Sequence, residues 1–356
     1  MLQAGLQGMR RFAAVSLVSL CPGIAAAQQT CGDVDCSGSV LAGDALQVLR
    51  TAVGIDAGAD CVCEVPTTST TLTPDCAAID VQAFTTRLAA ARCVAYAPSG
   101  NWNPETGSYP SGQSVAADLA LLKNTGFDCI VTYGSEDVLG AVPCLAKAAG
   151  FTLVVMGLWN PQSTVERNAA VAASDCADAY SVGNEGLTLP YCCGAAYGWD
   201  TLVTAISSLR AQTCRPVTTS EPSGAYFDGI AGHSASELRA LGDWVFPNAH
   251  PYFAGKKEAA EAVAWTVERY QTLVAASGPS RFVMLKEVGL PSAGDTGLSE
   301  ENQKTYYSAL QQTSTEFFVF EAFDQAWKHS LPVEPNWGAF RSDRSPKAVV
   351  SVLSAP

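Results

Sequence analysis

From Cys76 onward the chain alternates short runs rich in β-branched and aromatic residues with longer stretches whose apolar positions recur every three or four residues. The short runs cover residues 93–97, 129–133, 152–158, 179–183, 216–220, 245–251, 282–287 and 317–323. The periodic stretches include 115–124, 201–212, 256–276 and 300–313. Runs of the first kind read as buried strands and stretches of the second as amphipathic helices. Eight strands alternating with helices predict an α/β domain, a (β/α)8 TIM barrel spanning residues 76–356. A doubly wound open sheet is the rival. It loses because no G-x-G-x-x-G follows the first strand and no Walker loop is present, so nothing asks for a nucleotide crevice.

The pattern upstream is different. Residues 1–27 combine Arg10-Arg11, an apolar stretch from Phe12 to Leu20 and the small run Ala25-Ala26-Ala27. That order predicts a secretory signal cleaved before Gln28, too short to span a membrane, and a secreted or cell-surface location. Residues 28–63 hold an acidic, serine-rich loop followed by Leu46, Leu49 and Val53 at helical spacing. Asp33, Asp35, Ser37, Ser39 and Asp44 fall at positions 1, 3, 5, 7 and 12 of a calcium loop, with Gly38 at the sharp corner. The same residues also suit a turn that only caps its helix. Residues 64–75 read EVPTTSTTLTPD, a Thr/Ser/Pro linker with no apolar period.

Composition narrows the function. The formal charge is −13, from 21 basic and 34 acidic residues, and loss of Arg10 and Arg11 with the signal leaves 19 against 34. Such a surface repels nucleic acid and anionic membranes. The three histidines, His233, His250 and His329, are too scattered for an HxxxH zinc site. Of 13 cysteines, Cys21 leaves with the signal. An even twelve in an exported protein predicts several disulfides.

In a barrel of this kind chemistry sits just past the C-terminal ends of the strands. Two glutamates stand there, Glu185 after the fourth strand and Glu287 at the end of the seventh. Two carboxyls about 5 to 5.5 Å apart across the mouth suit a retaining glycosidase, one protonated to assist the leaving sugar and one ionised to attack the anomeric carbon. Asn184 is placed to bond the sugar 2-hydroxyl. Regular alternation would turn Lys286 to the opposite side of the strand from Glu287. His250 reads as a hydrogen-bonding neighbour of the site more than as a catalyst.

Six fragments at strand ends carry a resemblance: Tyr-Ala-Pro-Ser (96–99), Thr-Tyr-Gly (132–134), Val-Gly-Asn-Glu (182–185), His-Pro-Tyr-Phe (250–253), Glu-x-Gly-x-Pro-Ser-Ala-Gly (287–294) and Phe-Glu-Ala-Phe-Asp-x-x-Trp-Lys (320–328). Together they resemble glycoside hydrolase family 17, the β-1,3-glucanases and glucanosyltransferases. The resemblance implies Glu185 as acid/base and Glu287 as nucleophile, with Tyr133, Asn184, Tyr252, Glu321 and Lys328 as sugar-site residues; Tyr96 and Trp327, at the ends of the first and eighth strands, are further candidates for the sugar site. It implies β-glucan as the partner and no cofactor for catalysis. A glucanosyltransferase using the same glutamates is the near alternative, and a non-catalytic glucan-binding surface protein the distant one. The chain departs from the family at Val288 and Leu290, where threonine and tryptophan are common, and at Gln325 in place of glutamate. The change at Leu290 is expected to remove a stacking surface for sugar. The calcium loop resembles one repeat of a dockerin, and a single repeat does not imply a cohesin partner.

Overall fold

The computed structural model describes residues 76, 79–187 and 197–354. The expected signal, the calcium loop with Asp33, Asp35, Ser37, Ser39 and Asp44, and the linker all lie outside these residues. Seven strands, β1 (Cys93–Ala95), β2 (Cys129–Val131), β3 (Leu153–Leu158), β4 (Ala179–Val182), β5 (Val217–Thr218), β6 (Leu285–Val288) and β7 (Phe317–Val319), form one parallel sheet. Its order is β5-β4-β3-β2-β1-β7-β6. The helices are α1 (Val81–Ala89), α2 (Gly112–Asn124), α3 (Val142–Ala148), α4 (Thr164–Ala172), α5 (Trp199–Thr213), α6 (Ala225–Asp228), α7 (Ala235–Leu241), α8 (Ala259–Ser277), α9 (Glu300–Leu310) and α10 (Val350–Leu353).

The remaining expected strand, at 245–251, lies between the two sheet edges. Asn248 donates its backbone N–H to Glu221 beyond β5, while Met284 and Lys286 donate to Val245 and Pro247. Pro247 has no N–H to give a ladder, so this segment is held by isolated bridges instead of a regular strand. The result is a curled parallel sheet of the (β/α)8 type.

Alternation within the strands separates two cores. Cys93 and Ala95, Cys129 and Val131, and Leu153 and Val155 fill the inside with Trp244, Phe246, Met284 and Phe318. Val94, Ile130, Val154 and Met156 face the other way and pack with the helices. In α5, Leu202, Ala205, Ile206 and Leu209 are buried at spacings of three and four. Helix α1, which the pattern does not single out, adds Phe84 and Leu88 to the inner core, Phe84 with its ring 5.1 Å from that of Trp244.

Cys76 is bonded to Cys214 at the end of α5, and Cys144 to Cys176. Cys93 and Cys129 stand side by side in register and are thiols, so the even count does not mean full pairing. Burial pushes the Cys93 thiol well above its ordinary pKa, which keeps it unreactive. No described helix is long and apolar enough to cross a membrane.

Candidate active site

Glu185 is positioned by an unusual stretch of backbone. After β4 the chain turns through Gly183 at φ +73 and Glu185 itself at φ +57. A Cβ at residue 183 would stand 2.1 Å from the Tyr197 hydroxyl, so only glycine fits. A left-handed glutamate is uncommon, and such residues cluster at functional sites. Its Oε1 accepts from Asn248 Nδ2 at 2.8 Å. Asn248 is fixed in turn by Ser220 Oγ, which donates to its Oδ1 at 2.8 Å. The same Asn248 Nδ2 reaches Asn184 Oδ1 at 3.2 Å.

On the facing side, β6 supplies two neighbouring side chains. Lys286 follows Met284 in pointing inward, and the register of β6 against β7 is irregular between Leu285 and Val288. An irregularity of that kind re-aims a side chain. Glu287 therefore joins Lys286 on the inner side, against the expectation that the lysine would point away. Glu287 Oε2 lies 3.1 Å from His250 Nε2 and its Oε1 3.3 Å from Lys286 Nζ. Lys286 Nζ also donates to Asn184 Oδ1 at 2.5 Å and sits 4.5 Å from the centre of the Tyr133 ring. The two carboxyls are thus joined by one polar chain: Glu185, Asn248, Asn184, Lys286, Glu287.

Their acidities are driven apart. Burial raises the Glu185 carboxyl, the negative charge of Glu287 raises it further, and the Asn248 hydrogen bond offsets only part of this. Burial would also raise Glu287. The Lys286 charge, the His250 hydrogen bond and charge, and Lys328 overcome that and hold it at about 2. A third carboxyl, Glu321, is fully buried and pushed up to about 7 by desolvation, against the pull of Lys328 Nζ at 2.7 Å. Among the described residues Glu321 Oε2 has no hydrogen-bond partner.

The other expected sugar-site residues divide. Tyr133 stands over Lys286 and meets Trp159 edge-on at 6.5 Å. Lys328 pairs with Glu321, and Trp327 meets Trp102 edge-on at 5.5 Å while its Nε1 donates to Gln325. Tyr252 is tied to Asp295 through its hydroxyl at 2.9 Å. Tyr96 is a correction. At 1% exposure it points outward with Val94, and its hydroxyl donates to the buried Asp118. Leu290, where the family resemblance has tryptophan, is fully buried in the core and itself presents no surface to a sugar. Gln325 bonds the carbonyls of Pro98 and Phe323 and serves the scaffold. Among the described residues no group of three or more His, Cys, Asp or Glu side chains is arranged to hold a metal ion.

Sequence reasoning missed Asn248 and Glu166. Asn248 stands in the middle of the sixth expected run, two residues before His250, and so escapes a reading confined to strand ends. Glu166, on α4, has no such signal because its partners are backbone groups. Its buried carboxylate accepts from the N–H groups of Trp159 at 2.7 Å, Asn160 at 2.9 Å and Ser135 at 3.2 Å, joining the loops that carry Tyr133 and Trp159. Glu166→Ala leaves these donors without their acceptor and is expected to cost about 3 kcal/mol or more. The midpoint of urea denaturation reads this directly; an unchanged midpoint would show that the loops do not depend on it.

A (β/α)8-type barrel whose mouth holds two linked carboxyls of opposed acidity has the form of a glycoside hydrolase. The family described as the BtgE/BtgC glycoside hydrolase domain matches residues 93–338, and the chain belongs to that family. It is similar to a protein named Probable family 17 glucosidase SCW10 from Saccharomyces cerevisiae, 30% identical over 269 residues that cover 71% of this chain and 65% of that protein. The cell surface mannoprotein MP65 of Candida albicans is 25% identical over 265 residues, 70% of this chain and 66% of that one. The chain thus spans just under two thirds of the length of these relatives. Among solved structures, a family 17 β-1,3-glucanosyltransferase from Rhizomucor miehei shares the fold with a TM-score of 0.59 and 22% identity, covering 74% of this chain and 97% of its own. A β-1,3-glucanase of Cryptomeria japonica pollen does so at 0.53 and 20%, covering 72% and 97%.

Proposed function

We propose that the protein is an exported retaining glycoside hydrolase that cleaves β-1,3-glucan by double displacement. The observation that carries this reading is the opposed acidity of Glu185 and Glu287 within one polar chain. Glu287, held at about 2, is ionised at any working pH and attacks the anomeric carbon. Glu185, held above the ordinary carboxyl range, keeps its proton for the departing glucan oxygen and later takes one from water. Asn184 bonds the 2-hydroxyl, and Glu321 Oε2, without a hydrogen-bond partner among the described residues, offers a contact to a sugar hydroxyl. Tyr133, Tyr252, Trp327 and Lys328 complete the sugar site. Relatives named as glucosidases and glucan endo-1,3-β-glucosidases support the substrate class, and one named a cell surface mannoprotein supports the location. A structural calcium ion in the N-terminal module is part of the same proposal.

Purified protein incubated with laminarin and linear β-1,3-oligosaccharides is expected to release reducing sugar with the anomeric configuration retained. Silence on every β-1,3-glucan would overturn the reading, and products longer than the donor would move it to transglycosylation. The pH profile carries a further expectation. Loss of activity on the acid side requires protonation of Glu287, near pH 2, so kcat/KM is expected to fall chiefly as pH rises through the raised pKa of Glu185. A profile whose main limb lay on the acid side, at ordinary carboxylate values, would contradict this assignment.

A further inference from the structure

Lys286 is the least expected side chain in the mouth. It is 1% exposed, it lies next to Glu287 in the chain, and neither the strand pattern nor the family resemblance gives it a task. Its Nζ is met on every recorded side by groups that accept: Asn184 Oδ1 at 2.5 Å, Glu287 Oε1 at 3.3 Å and the face of Tyr133 at 4.5 Å. Burial lowers the Lys286 ammonium from its ordinary value, and these acceptors, with the Glu287 and Glu185 charges, pull the other way by satisfying its protons. The consequence for Asn184 is geometric. Its Oδ1 receives both Lys286 and Asn248, so its Nδ2 points elsewhere, and that nitrogen donates to no described residue.

We propose that Lys286 is a positioning residue for the hydrolytic reaction, fixing the attacking oxygen of Glu287 and turning the Asn184 amide so that Nδ2 faces the sugar 2-hydroxyl. The proposal rests on the function proposed above. Without the lysine, only the 3.2 Å bond from Asn248 still holds the Asn184 oxygen, and the flipped amide, which presents an acceptor where a donor is needed, becomes more accessible. Without the lysine, too, Glu287 keeps His250 as its hydrogen-bonding partner and loses the nearest positive charge. The charged and titratable groups around the pair come from every side of the mouth. Glu185 and Glu221 face Lys286, Lys328 and Glu321 face Glu287, and the Tyr133 ring stands over Lys286 with its hydroxyl under the influence of Glu287.

The test compares wild type with Lys286→Met, which has neither charge nor donor, and Lys286→Gln, which keeps an amide donor without the charge. The substrates are a laminari-oligosaccharide and its analogue lacking the 2-hydroxyl on the sugar that is attacked. For Lys286→Met, kcat on the natural oligosaccharide is expected to fall about 100-fold at pH 5 with KM within about threefold, because both lost interactions act in the transition state. An acid limb absent from wild type is expected to appear between about pH 4 and 6 in both variants, since Glu287 then returns toward or above the ordinary value near 4.3. On the 2-deoxy analogue the penalty of Lys286→Met is expected to shrink several-fold, and a merely structural lysine would not produce that difference. Should Lys286→Met fail to fold, the acid limb of Lys286→Gln decides.

Variants with the wild-type pH profile and kcat within about threefold would overturn the role of Lys286. Labelling with a 2-deoxy-2-fluoro glucosyl fluoride, read by mass on the Glu287 peptide, keeps this separate from failure of the function itself. A wild type that neither labels nor cleaves would overturn the function, and the lysine's role with it.

Discussion

Glu287→Gln is expected to abolish cleavage of β-1,3-glucan, with kcat down by about 10⁴-fold or more, while the folded barrel and its affinity for oligosaccharide persist. The reason lies in what the amide lacks. Glutamine keeps the shape of the side chain and an acceptor for His250, but its oxygen is a poor nucleophile and cannot form the glycosyl ester on which double displacement depends. The smaller Glu287→Ala makes the sharper experiment. It leaves room on the face of the sugar that the carboxylate occupied, so added azide is expected to restore cleavage of an activated glucosyl fluoride and to give the inverted glycosyl azide. Product stereochemistry reads this directly by proton NMR. Full activity in Glu287→Gln would sink the nucleophile assignment outright. Loss of activity together with loss of folding would not count for or against it, which is why circular dichroism accompanies the assay.

The second large effect belongs to Glu185, and it should depend on the leaving group. A general acid contributes about 10²–10⁴-fold when the departing oxygen is strongly basic, as in glucan. Glu185→Ala is therefore expected to lose activity on laminari-oligosaccharides by that factor. With a dinitrophenyl glucoside, whose leaving group needs no proton, the first step should stay close to wild type and the glycosyl-enzyme should accumulate as a burst. Azide then attacks the intermediate in place of the missing base and gives the retained azide, the opposite anomer from that of Glu287→Ala. Equal losses on the two substrates would remove Glu185 from the acid/base role and turn attention to Glu321.

How much of this was legible in the sequence depends on parity. Asn184, Glu185 and Glu287 could be singled out because a parallel barrel puts the C-terminal ends of its strands at one mouth, whatever the side-chain directions. Side-chain direction is less legible. Tyr96 carries an attractive hydroxyl but shares the outward parity of Val94, and the Asp118 carboxylate takes it. The same rule turns Lys286 to the far side, and it fails there because the β6 register is irregular at that point. The missing regular strand at 245–251 has a local cause in Pro247, and its neighbour Asn248, bridged through its backbone to both sheet edges, turns its side chain into the site. Glu166 was illegible for a different reason: backbone amides leave no trace in composition or spacing. The paired cysteines showed the limit of counting, since Cys93 and Cys129 satisfy an even total yet remain thiols inside the barrel.

The polar chain between the two glutamates also bears on timing. Part of what lifts the Glu185 carboxyl is the negative charge of Glu287. In the proposed double displacement that charge vanishes when the ester forms, so the lift is withdrawn at the moment the leaving sugar has taken Glu185's proton. Glu185 then stands as a carboxylate beside an uncharged ester, which is the state needed to draw a proton from water. When water releases the sugar, the charge on Glu287 returns and calls the proton back. Each half of the cycle thus resets the acid for the other half, with no movement of the backbone required.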